Sequence, residues 1–305
     1  MGAILNSPVN DVIGAAYWAD EKQRWTEFYR DRLTAQLRTA GDLVGDGSPE
    51  RLQPHFDSFV SLLNTTIGQP DLADLWLDLV DRLHPLPVRW GQWSTWLAIL
   101  RQASQKAYEL YRPAQQAEYL SYTADLLLNT GQSEQALTAA REAMRLARQS
   151  GAAWPLGVAG NAAAATLRSM ARYDEAQALI DEVRFALTHL PTPQPTARAA
   201  MTEALLDLEQ MDLLRYFKRL DDALDLGERL IANLSAVEGI DPHDLAGAYL
   251  RRATITWVSG NYQVAVDDLK QAAALYRQAG DELQDDFRRS QSGTGLLQHV
   301  AIPGG

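Results

Sequence analysis

The sequence predicts an all-α protein of about eleven to thirteen helices, paired as antiparallel hairpins that stack into a right-handed α-solenoid. Three observations carry this expectation. Apolar residues recur at helical spacing from Val9 to Ala279, with no sustained stretch of period two. A block of small and aliphatic residues returns at steps of 40, 40, 47 and 42 residues, measured between Trp96, Ala136, Ala176, Ala223 and Ala265. Glycine stands five residues ahead of three of these five anchors, at Gly91, Gly131 and Gly260.

Each column of the repeat has a physical meaning. Four residues after the anchors stand Leu100, Ala140, Ile180, Gly227 and Leu269, and seven after stand Ala103, Ala143, Val183, Leu230 and Ala272. Offsets of 0, 4 and 7 share one helix face, and small side chains there let a second helix approach closely. The column five before the anchors, completed by Ala171 and Lys218, is where a preceding helix ends. Glycine suits the left-handed residue that closes a helix. The column three before the anchors holds Trp93, Ser133, Tyr173, Leu220 and Tyr262 and marks the start of the next helix. Asp174 and Glu175 then fall in a first turn, where acids favour the positive end of the dipole. The unit is helix, tight turn, helix.

Ahead of the repeats, Val9 to Ala40 reads as one long helix, with Trp18, Trp25, Phe28, Tyr29, Leu33 and Leu37 at helical spacing. Gly41 to Ser48 reads as a loop. Ser48-Pro49-Glu50 is a helix start, the serine capping and the proline in the first turn. Gln69-Pro70-Asp71 opens another helix. On it Asp71, Asp74, Asp78 and Asp81 form an acidic stripe opposite Leu72, Trp76, Leu79 and Leu83, read as a solvated face. Pro85 and Pro87 interrupt the first register. Gln149 to Leu167 carries no charge and reads as a small-residue helix packed between neighbours. Leu190 to Thr196 is a proline-rich break, and Asp241-Pro242 starts the last hairpin. The expected organisation is an N-terminal helix and loop over 1–47, degenerate helical repeats over 48–110, four further repeats over 111–282 and a flexible tail over 283–305.

Gly131-x4-Ala136-x3-Ala140-x2-Ala143, with Ala124 and Leu127 in the helix before it, resembles a tetratricopeptide repeat. Gly260 to Ala272, preceded by Ala253, repeats the pattern. The standard period is about 34 residues, so helices or loops here are longer. Long-period repeats of this kind are similar to the sensor regions of bacterial signal-transduction ATPases and large transcriptional activators. The stretch Leu83 to Ala103, with Arg89-Trp90-Gly91-Gln92-Trp93 ahead of Trp96, is similar to the segment that opens such arrays. The resemblance implies a scaffold for protein–protein interaction, with signal transduction as the setting. Such regions normally follow an ATPase module, and this sequence contains none.

Composition excludes several classes of chemistry. The chain has 305 residues and no cysteine, which removes disulfides, thiolate catalysis and cysteine-ligated zinc. The net charge of −11 argues against direct nucleic-acid binding and against anionic membrane surfaces. Met1 to Asp20 has no signal-peptide pattern, and a cytoplasmic location is expected. Lys22, Lys106, Lys218 and Lys270 are the only lysines and none follows a glycine, so no phosphate-binding P-loop exists. His55, His84, His189, His243 and His299 lie too far apart in sequence for a local helical metal pair. No enzyme, no cofactor and no metal is expected.

Function is therefore expected on the concave side, which the first helix of each hairpin lines. Counting back from the anchors gives Asn129, Asn161, Arg168, Arg215, Tyr216 and Trp257 as partner-binding candidates for a protein or peptide. Arg, Tyr and Trp are the types that most often carry binding energy. Arg215, Tyr216 and Trp257 are expected on one side of the groove. The positions that capture C-terminal carboxylates in chaperone-binding tetratricopeptide proteins hold Ser121, Asp125, Ala162, Leu205 and Glu209 here, which do not fit. Trp90, Trp93 and Trp96 have two readings, a ligand-holding aromatic cluster or, more simply, a packed junction.

Overall fold

The computed structural model describes residues 15–190 and 196–280. Among them every regular element is helical and no strand occurs. Fourteen α-helices are present among the described residues; two are single turns, and the twelve longer ones fall within the expected range. The tail expected over 283–305, the start of the first helix and most of the proline-rich break lie outside the described residues. Contacts divide the chain into two units, Met1–Leu83 and His84–Gly305.

In the first unit, α1 (Ala15–Asp46) precedes the single turn α2 (Pro49–Leu52), α3 (Phe56–Thr66) and α4 (Ala73–Leu83). α1 packs on α3 and α4. Its buried line is Leu33, Leu37, Ala40 and Val44. The loop expected over Gly41–Ser48 is instead helical as far as Asp46. Val44 is buried, and the bare Cα of Gly41 lies close to Asp78 of α4. Burial against α4 outweighs the roughly 1 kcal/mol that each glycine costs in a helix. Ser48 takes the extended conformation of an N-cap, but its hydroxyl bonds no backbone N–H; Pro49 alone marks the start. On α4, Trp76 and Leu79 are fully buried and the indole of Trp76 donates to Leu63 O at 2.9 Å. The opposite stripe is solvated, with Asp78 paired to Arg82 at 2.8 Å.

The second unit begins with the single turn α5 (Pro85–Arg89). It continues as α6 (Trp93–Glu109), α7 (Pro113–Asn129), α8 (Ser133–Ser150), α9 (Ala153–Ser169), α10 (Tyr173–Thr188), α11 (Ala197–Tyr216), α12 (Leu220–Ser235), α13 (Pro242–Val258) and α14 (Tyr262–Gln278). The periodic columns land where the sequence places them. All five anchors, Trp96, Ala136, Ala176, Ala223 and Ala265, are fully buried. The five residues three before them are the first residues of α6, α8, α10, α12 and α14. The five residues that precede the anchors by five, Gly91, Gly131, Ala171, Lys218 and Gly260, all have φ between 60° and 83°.

The turns also share one hydrogen-bond pattern. Gly131 N–H donates to Leu128 O and Gln132 N–H to Leu127 O; the same pair recurs around Gly91, Ala171, Lys218 and Gly260. These bonds satisfy carbonyls left open at the helix end and force one residue into the left-handed region. At Ala171 and Lys218 that residue carries a Cβ, which costs roughly 1–2 kcal/mol there. We expect Ala171→Gly and Lys218→Gly each to stabilise the protein by about 0.5–1 kcal/mol, the larger unfolded-state entropy of glycine offsetting part of the relief. Urea unfolding of the two variants checks this, and a loss of stability in both contradicts it.

Successive hairpins contact each other in two ways. The first helices pack in order, α7 on α9, α9 on α11 and α11 on α13. Each second helix also packs on the next first helix: α8 on α9, α10 on α11 and α12 on α13. α9 is the small-residue helix, uncharged as far as Leu167, and Pro155 to Gly160 and Ala162 to Leu167 are all buried. A Cβ at Gly157 would lie 2.6 Å from Thr202 Cγ2, and one at Gly160 would lie 2.9 Å from Val183 Cγ2. Glycine is what lets α9 approach α11 and α10 so closely. Arg89 links the start of this unit to its end: it donates to Ala279 O at 3.2 Å and pairs with Asp241, the residue that caps α13.

Candidate functional site

The first helices of the hairpins in the second unit, α7, α9, α11 and α13, pack on one another in order and carry two polar clusters. The first lies near the N-terminal ends of these helices. Tyr122 on α7 donates to Glu118 at 2.6 Å and accepts from the Trp154 indole on α9 at 3.0 Å. Arg198 on α11 pairs with Glu118 and lies 4.9 Å above the Trp154 ring. His84 stacks on Tyr122 at 3.6 Å and its Nδ1 accepts from the Trp96 indole at 3.0 Å. Burial, aided by the Arg89 charge, holds His84 neutral, with its pKa lowered to about 3. Trp90 and Trp96 are buried, and the Trp93 N–H is spent on Val88 O at 2.9 Å. Two of the three tryptophan rings are thus core, as the simpler reading expects.

The second cluster lies toward the C-terminal ends of α9, α11 and α13. Glu209 is only 1% exposed and accepts from Arg168 Nε at 2.8 Å and from Arg251 Nη2 at 3.2 Å. Asp212, one turn on, accepts from Arg251 at 2.8 Å and lies 3.6 Å from Arg168 and 3.5 Å from Arg215. Three guanidinium groups therefore share two carboxylates. The Arg215 Nε–H is buried and has no hydrogen-bond partner. Beside this network lies a cavity of about 360 Å³, lined by Arg168, Tyr173, Asp212, Arg215, Tyr216, Lys218 and Val258. Tyr216 stacks on Tyr173 at 3.3 Å and forms one wall. Four cations, Arg168, Arg215, Arg251 and Lys218, stand against two carboxylates, which leaves a positive excess in a protein of net charge −11. Arg215 lines this cavity, and a guanidinium is suited to an oxyanion.

The structure brings Arg168, Arg215 and Tyr216 together at this cavity and leaves the other three candidates apart from it. Asn129 is exposed and 3.4 Å from Asp125. Asn161 is half-buried on α9, and its Oδ1 is buried without a hydrogen-bond donor. Trp257 contacts Tyr262 edge to face at 4.9 Å, and its neighbour Val258 is the residue that lines the cavity. Sequence reasoning names Glu209 only as a misfit for carboxylate capture and omits Arg251, because a one-residue error in helical phase moves a side chain by about 100°. A buried acid flanked by arginines one turn apart on neighbouring repeats is the signal that could have found them.

Asp125 of α7 lies within electrostatic reach of Glu209. Burial, reinforced by the Glu209 charge and opposed by His243, raises its pKa to about 6. Its folded pKa lies above the ordinary 3.8, so its contribution to stability is present below about pH 4 and is lost as pH rises through 6. Asp125→Asn is expected to stabilise the protein by about 1–2 kcal/mol at pH 7.5 and by much less at pH 4.5. Urea unfolding at the two pH values checks it; an equal effect at both contradicts the assignment. Among the described residues no three His, Asp or Glu side chains gather as a metal site, and no helix is long and apolar enough to cross a membrane.

No protein-family model matches the sequence, and no curated protein matches it. A solved structure does: "Crystal structure of BtubC (BKLC) from P. vanneervenii" superposes with a TM-score of 0.51 at 18% identity, covering 77% of this chain and 93% of that one. At that identity the likeness speaks to the fold alone. It supports an all-helical, helical-repeat-like architecture.

Proposed function

We propose that the chain is a tetratricopeptide-like scaffold, a right-handed solenoid of antiparallel hairpins that binds a partner protein or peptide without catalysis. The recurrence of one turn, one helix start and one small-residue face in five registers supports the repeat reading. The single observation that carries the binding reading is the cavity beside Arg168, Arg215 and Lys218, where positive charge is in excess and Arg215 Nε–H is unmatched. In this reading the partner places an acidic group there and lays an apolar or aromatic residue against Tyr173 and Tyr216. The long repeat period supports a narrower version, a sensor or regulatory module acting on a separate signalling ATPase or transcriptional activator.

Capture from the native host with the full chain as bait, read by mass spectrometry, tests the proposal. A specific protein partner, lost when Arg215→Gln and Lys218→Gly are combined, is the expected result. An ATPase or DNA-binding regulator among the partners selects the narrower version. Turnover of a small molecule by the purified chain contradicts the scaffold reading.

A further inference from the structure

Charge at the cavity beside Arg168 exceeds what one carboxylate would neutralise. Arg168, Arg215, Lys218 and Asp212 line it, and Asp212 is backed by Arg251 and Glu209. Four cations against two carboxylates leave two positive charges. Acids in the neighbouring first turns are already matched: Glu175 accepts from Arg172 and Asp222 from Arg219, both at 2.6 Å. Lys218 is exposed and forms no ion pair among the described residues. The three lining cations come from three elements, Arg168 from α9, Arg215 from α11 and Lys218 from the turn before α12. Asp212 lies 3.6 Å from Arg168 and 3.5 Å from Arg215, so it holds the two guanidinium groups near each other before any ligand arrives. The rest of the lining is aromatic or apolar: Tyr216 stacked on Tyr173, and Val258. Phe217 meets Tyr216 edge to face at 5.4 Å, and Tyr216, Phe217 and Val258 are all exposed.

Taking this cavity as the site for an acidic group of the partner, as proposed above, we infer that the group is a phosphate monoester carried on an aromatic ring, a phosphorylated tyrosine side chain. A carboxylate carries one charge and presents two oxygens in one plane, which a single guanidinium can satisfy. A phosphate monoester carries about −1.5 to −2 charges at pH 7 and offers three acceptor oxygens. It matches the excess of two charges and suits two guanidinium groups and an ammonium that come from separate elements. Its ring goes against Tyr216 and Val258, which an aliphatic phosphate would leave uncovered.

Titration of the full chain with phenyl phosphate, methyl phosphate and phenylacetate, followed by NMR, tests this. Phenyl phosphate is expected to bind at least about tenfold more tightly than phenylacetate, which has the ring but a single charge, and about threefold more tightly than methyl phosphate, which has no ring. Lys218→Gly, a change at an exposed residue, is expected to weaken phenyl phosphate about threefold, and adding Arg215→Gln to weaken it at least about tenfold overall. Phosphatase treatment of the captured partner is expected to lower its affinity at least about 100-fold. Phenylacetate bound as tightly as phenyl phosphate, or a partner bound equally well after phosphatase treatment, overturns the phosphate and leaves the cavity as a carboxylate site. Methyl phosphate bound as tightly as phenyl phosphate overturns the aromatic carrier. No binding of phenyl phosphate up to about 20 mM overturns the inference outright. The three titrations need no partner, so their outcome is separate from whether one is captured.

Discussion

Glu209→Ala is expected to destabilise the protein by about 3–5 kcal/mol, among the largest effects available to a polar substitution. Glu209 is almost fully buried and is the shared acceptor for Arg168 and Arg251, which come from the helices on either side of its own. Removing it leaves two half-buried guanidinium groups with Asp212 as their remaining carboxylate. The loss comes mainly from stranded charge, because a buried ion pair contributes little over a well-packed apolar replacement. Glu209→Gln keeps the shape and one acceptor oxygen and should cost less than half as much. Urea unfolding of both variants separates the cases. A cost below about 1 kcal/mol for Glu209→Ala would mean that the network does not tie α9, α11 and α13 together.

Gly157→Ala is expected to cost about 2–3 kcal/mol, a large effect for one added methyl group. The new Cβ would stand 2.6 Å from Thr202 Cγ2 and 3.0 Å from the Thr202 carbonyl oxygen, so α9 and α11 must separate to admit it. A backbone atom cannot rotate away as a side chain does. Gly68 supplies the control: its Cβ would meet nothing within 4 Å, and Gly68→Ala should be neutral or slightly stabilising. Thermal unfolding checks the pair. Equal melting temperatures for the two variants would show that α9 and α11 are not packed this closely.

The features legible in the sequence are those that repeat. A left-handed turn, a helix start and a small-residue face are local demands, and five copies allow each to be read against the others. Ala171 and Lys218 show the strength of this, since neither residue alone announces a positive φ, yet their columns place them correctly. What was not legible depends on packing between elements far apart in sequence. Gly41 and Gly45 look like loop residues, and only burial of Val44 beside them keeps α1 helical. Trp25, Phe28, Tyr29, Leu33 and Leu37 of α1 recur at helical spacing, and nothing in that periodicity says that burial begins only at Leu33. Repeat phase groups Arg168, Arg215 and Tyr216, and these three line one cavity, whereas Trp257 packs edge to face on its own hairpin partner Tyr262.

On the proposed reading, the cavity beside Arg168, Arg215 and Lys218 takes an acidic group of a protein partner. Calorimetric titration of the captured partner into the wild-type chain and into the Arg215→Gln, Lys218→Gly variant measures this. The variant leaves the Glu209 pairs intact and relieves the left-handed strain at residue 218, so its fold should hold. The variant is expected to remain at least as stable as the wild type toward urea while its affinity for the partner falls at least about tenfold, with a weaker salt dependence. Unchanged affinity in the folded variant would contradict it.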